Sequence, residues 1–175
     1  MMLFWLPAML LLASEGVCGS ISVCDGRYEI PLFVDAGAKP LSEANSCGAV
    51  IYTEEGSSDQ RYIKYLYGLL SYKEKIPAEQ MQRFQNFVAN FVNRASGHGV
   101  GEFKAADPIT SKGSGTDIYT IVQKFDQVYG GVRFSGVYEI VTKVEGDSTN
   151  SYFIEYPSEG GPPTFYDRFR EWALK

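Results

Sequence analysis

The sequence predicts an α+β domain in which a helical hairpin packs on an antiparallel sheet that includes a C-terminal β-meander. Three observations lead there. Apolar residues recur at three- and four-residue steps across 62–95, they alternate with polar ones across 132–156, and Gly/Pro/Asp clusters punctuate the segments between.

The chain opens with Leu3, Phe4, Trp5, Leu6 and Pro7–Ala13, an apolar run followed by the small residues Gly16, Val17, Cys18, Gly19 and Ser20. This is the layout of a signal peptide, and the run is shorter than the roughly 20 apolar residues a membrane span needs. Residues 1–19 are therefore read as a secretory address, residues 20–159 as a single domain, and residues 160–175 as a Gly/Pro hinge with an amphipathic helix. Met1 and Met2 carry no positive charge, and Glu15, Gly16 and Val17 do not make a lipobox before Cys18. The address argues for export without choosing between a periplasm and an extracellular space. Removing Cys18 leaves two cysteines, Cys24 and Cys47, and an even pair in an oxidising compartment is expected to form a disulfide.

Tyr28–Val34 and Ala49–Thr53 read as short strands, with 35–45 as a loop between them. From Ser58 or Asp59 the spacing of Tyr62, Ile63, Leu66, Leu69 and Leu70 predicts an amphipathic helix. Pro77 and Glu79 suit the start of a second helix, whose stripe is Met81, Phe84, Val88, Phe91, Val92 and Ala95. The Gly-rich stretch 97–115 reads as a long loop. Residues 116–129 fit a helical stripe as well as a strand, and their β-branched and aromatic content favours strand. Val132–Val144 alternates strictly, Gly146–Asn150 reads as a turn, and Tyr152, Ile154 and Tyr156 resume the alternation. Gly136 interrupts the apolar face, as a bulge or a close approach would require. Gly160-Gly161-Pro162-Pro163 precedes Phe165, Phe169 and Trp172 on one side of a terminal helix, which either docks on the domain or presents these rings to a partner.

The chemistry is sparse. His98 is the single histidine, set between glycines, so a Ser/His/Asp or Cys/His mechanism would have to run through it without a held partner. No His/Cys set or calcium-loop spacing suggests a metal, and no cofactor motif is present; Ser111–Asp117 lacks the order of a phosphate loop. Glu139 and Glu155 fall on neighbouring predicted strands, the arrangement a carboxylate-dependent hydrolase would need, but on what reads as a solvated face. A formal charge of -5 disfavours nucleic acid as a partner. With 12 Tyr and 11 Phe, aromatic surface is available for protein contact.

The expectation is an exported, non-enzymatic interaction protein, such as an inhibitor, a toxin-neutralising partner or an accessory subunit. It would be periplasmic or secreted, with no stable membrane insertion after signal removal. Phe165, Phe169, Trp172, His98, Tyr138 and Tyr152 are the candidate contacts for a protein partner. The alternatives are a small-ligand binding domain with an apolar pocket between helices and sheet, and a hydrolase using the two carboxylates.

Overall fold

The computed structural model describes residues 18–56, 62–95, 102–105, 109–112, 117–129 and 132–175. A two-stranded hairpin, β1 (Gly19–Val23) and β2 (Tyr28–Leu32), precedes β3 (Gly37–Glu43), β4 (Ser46–Glu55) and β5 (Tyr62–Tyr72). A 3₁₀ turn at Ala78–Gln80 leads into α1 (Met81–Ala95). Then come β6 (Glu102–Ala105), β7 (Ile109–Lys112), β8 (Ile118–Tyr129), β9 (Val132–Glu145), β10 (Ser148–Pro157) and α2 (Tyr166–Leu174). The large sheet has the order β3-β4-β5-β10-β9-β8-β6, with β7 also paired to β8, and every pairing is antiparallel.

The predicted helical hairpin does not form. The protein is mostly β, and its first supposed helix is β5, the strand that joins the β3–β4 half of the sheet to β10. The proposed start of that helix, Ser58 or Asp59, lies outside the described residues. The misreading has a physical cause. Every residue from Leu66 to Ser71 is buried, because β5 is covered on both faces, and a strand buried on both faces carries a continuous apolar run that also satisfies helical spacing. Gly68 suits the strand: a Cβ there would lie 2.1 Å from the Ala49 carbonyl oxygen on β4.

Two segments read as loop also contain strands. Within 35–45, β3 forms the sheet edge, where Pro40 is tolerated because an outer strand has one side without ladder bonds. Exposed Lys39 beside Pro40 discourages further strands from adding to that edge. Within 97–115, β6 and β7 cap the other edge by pairing with successive halves of β8. The ambiguous segment 116–129 resolves as strand, and β8, β9 and β10 form the expected meander. Gly136 makes room for the Phe125 ring, directly opposite it on β8; that ring stacks on Tyr138 at 4.8 Å.

The sheet separates two apolar cores. On one face α1 seals Val50, Leu66, Leu70, Phe125, Tyr138, Ile140 and Phe153 with Met81, Phe84, Val88 and Val92. On the other, the β1–β2 hairpin and α2 cover Ala49, Ile51, Tyr67, Leu69, Val141, Tyr152 and Ile154. The predicted disulfide joins Cys24, in the hairpin turn, to Cys47 on β4, with Cα atoms 5.4 Å apart. Cys24 and Asp25 both adopt left-handed backbone (φ 57° and 58°), so the bond anchors a tight turn that L-residues rarely take. Among the described residues no helix is long and apolar enough to cross a membrane.

Candidate functional site

Most of the expected contact residues lie inside the protein. Phe165 and Phe169 are buried in the second core, where Phe165 stacks on Phe33 (5.8 Å) and lies near Tyr67 (5.3 Å). Trp172 is half-buried, its ring edge-on to Tyr152 at 4.9 Å. Tyr138 and Tyr152 are buried on opposite faces of the sheet, and burial pushes both phenols above their ordinary pKa. His98 lies outside the described residues. In this arrangement α2 is docked, and its aromatic side belongs to the core.

The two carboxylates are not a pair. Glu139 stands opposite Ile154, and Glu155 opposite Tyr138, so the alternation of side chains sends them to opposite faces. Neither is solvated: their exposures are 1% and 3%. Glu139 instead fastens α2. Tyr166 donates its hydroxyl hydrogen to one carboxylate oxygen, and Arg170, one turn later, pairs with the other at 3.2 Å. Burial, with that hydrogen bond to Glu139, raises the Tyr166 phenol to about 12.

A polar row crosses the sheet beneath the disulfide-anchored hairpin. Cys47, Ser71, Asn150 and Lys143 are successive register partners on β4, β5, β10 and β9. The Asn150 amide donates to the Tyr28 hydroxyl at 3.0 Å and to Glu145, whose other carboxylate oxygen pairs with Lys143 at 2.9 Å. Burial opposes ionisation of Tyr28, but hydrogen bonds with Ser148 and Asn150 outweigh it and hold the phenol below its ordinary pKa. The row brings polar side chains together where the hairpin meets the sheet, and among the described residues Ser71 Oγ and Asn150 Oδ1 are left without a hydrogen-bond partner. Beside it, a half-open groove of about 320 Å³ is walled by Cys24–Gly26, Leu41–Glu43, Ser46–Gly48 and Lys73.

The surface with the strongest signature for contact is the outer side of α1. Arg83, Phe87, Asn90 and Arg94 follow one another at four-, three- and four-residue steps, which places them on one helical face, and all four are exposed. Phe87 is 51% exposed, although its neighbour Phe84, 6.2 Å away, is buried against the sheet. Leu174, at the end of α2, is the other large exposed apolar residue among the described ones, at 44%. From Met81 to Ala95 there is no Asp or Glu. Among the described residues neither Arg83 nor Arg94 makes an ion pair.

No protein-family model, curated protein or solved structure matches this chain. The sequence signal for the α1 face is the absence of Asp and Glu from Met81 to Ala95 in an otherwise acidic chain. The polar row has no local sequence signal, because Ser71 and Asn150 are far apart in the chain and only strand register brings them together.

Proposed function

We propose that this chain is an exported, non-enzymatic interaction protein that occludes a site on a protein partner, using the outer face of α1 as its contact surface. The observation that carries this reading is the exposed Phe87 held between Arg83 and Arg94 on a helix without acidic residues. A single exposed apolar side chain is ordinary on a soluble protein. An exposed ring flanked by arginines is the composition of an interface centre, where aromatic residues and Arg supply most of the energy. The disulfide is compatible with an extracytoplasmic location.

Two observations weigh against the alternative activities. The space between α1 and the sheet is filled by Phe84, Val88, Val92, Phe125, Tyr138 and Phe153, where a ligand pocket would have to open. Glu139 and Glu155 are separated by the sheet.

Site-specific photo-crosslinking tests the proposal. A photoreactive phenylalanine analogue at position 87 is expected to trap a discrete partner in the extracytoplasmic fraction, whereas the same group at exposed Ser158 does not. Identical products from both positions would refute the assignment of α1.

A further inference from the structure

We infer that the α1 face is built for an acidic protein surface and not for a second copy of this chain. The inference rests on the reading of α1 as the contact surface, and it specifies the partner: two carboxylate groups that meet Arg83 and Arg94, with an apolar side chain between them against Phe87.

The spacing sets the geometry. Arg83 and Arg94 are eleven residues apart, about 16 Å along the helix at 1.5 Å per residue. Phe87 and Asn90 lie between them on the same face. The chain as a whole carries 21 acidic against 16 basic residues, yet this helix carries two arginines and no acid. An opposite charge brought to Arg94 therefore meets no competing carboxylate from α1, and at Arg83 the nearest acid in sequence is exposed Glu79, in the 3₁₀ turn four residues before it, with which Arg83 forms no ion pair among the described residues. Arginine suits the task, because its planar fork binds a carboxylate through two parallel hydrogen bonds.

The same stripe argues against self-association. It is symmetric about its midpoint, since Arg83 and Arg94 are as far from the centre as each other, and so are Phe87 and Asn90. An antiparallel two-fold pairing of two α1 helices would set Arg83 of each copy against Arg94 of the other, and a parallel pairing would set each arginine against itself. Both oppose like charges without compensation, an arrangement that suppresses association. The net charge of -5 disfavours the dense, uniform negative charge of nucleic acid and anionic bilayers more than a protein surface whose acidity is confined to the few carboxylates that meet the two arginines.

A displayed library of helical 18-residue peptides, panned against the oxidised full chain, tests this. Recovered peptides are expected to carry Asp or Glu at two positions about three turns apart, with Leu, Met or an aromatic between them. They should bind R83E/R94E and F87A at least about tenfold more weakly than wild type, and weaken roughly tenfold when salt rises from about 0.05 to 0.5 M. All three positions are exposed, so both variants should keep native circular dichroism and the disulfide mass. Peptides that depend on Phe87 but lack acidic residues and ignore R83E/R94E would overturn the partner chemistry alone. Failure to recover any peptide that distinguishes F87A from wild type would overturn the reading of α1 itself. A dimer in sedimentation velocity that F87A abolishes, or tighter binding of anionic vesicles or duplex DNA that R83E/R94E abolishes, would also overturn the inference.

Discussion

Tyr67 is buried completely, donates its hydroxyl hydrogen to the Pro31 carbonyl at 2.9 Å and accepts the Phe33 amide at 3.2 Å, so that one phenol ties β5 to the end of the hairpin. Ionising it would place a charge in an apolar core, and burial raises its pKa to about 12. Tyr138 and Tyr152 are raised by the same cause. In the unfolded chain all three ionise near pH 10. Above that pH the native state binds more protons than the unfolded state, so stability is lost as pH rises. Urea titrations at pH 8, 10 and 11 should give a free energy that is level with respect to these groups to about pH 9. It should then fall by up to about 1.4 kcal/mol per pH unit for each tyrosine. The same free energy at pH 11 as at pH 8 would contradict the burial of these phenols. The sequence showed that tyrosines are abundant; it did not show which ones are core, because that depends on elements far along the chain covering them.

At the scale of elements, α2 shows how partial a local pattern is. Its aromatic side was legible from Phe165, Phe169 and Trp172, but whether that side meets the domain or a partner was not. The choice is made by residues distant in sequence. Phe33 stacks on Phe165, the Arg168 guanidinium lies 5.5 Å from the Phe33 ring centroid and donates to the Phe33 carbonyl, and Glu139 receives Tyr166 and Arg170. Phe169→Ala is expected to destabilise the whole domain by about 3–5 kcal/mol, the cost of emptying a fully buried aromatic site. A urea transition unchanged by that substitution would mean that α2 is a detachable arm. β5 gives the complementary lesson. Its residues suit a strand and its spacing suits a helix, and the conflict is settled by neighbours on both edges and layers on both faces.

At the scale of the molecule, the β1–β2 hairpin is a separate small sheet, held to the large one by apolar packing, by the polar row at Tyr28 and by the disulfide. The bond closes a loop with a sequence separation of 23, which corresponds to about 3 kcal/mol of stabilisation in the chain-entropy model. Reduction, or replacement of Cys24 and Cys47 by Ala, is expected to lower the unfolding free energy by about that amount without abolishing the fold, as read by urea denaturation. A loss below about 1 kcal/mol would indicate that packing alone fixes the hairpin.

By itself the sequence determined the cysteine pair, the amphipathic helix at α1, the alternation of β9 and β10, and an acidic, aromatic-rich composition, because each is written in local spacing or in simple counts. Tertiary structure alone decided that 62–72 is a strand, that 37–43 forms the sheet edge, that Glu139 and Glu155 lie on opposite faces, and that Phe87 is left exposed while other rings are covered. These depend on which strands pair and in what register, and long-range pairing is set by burial on both sides of a sheet, which no short window of residues contains.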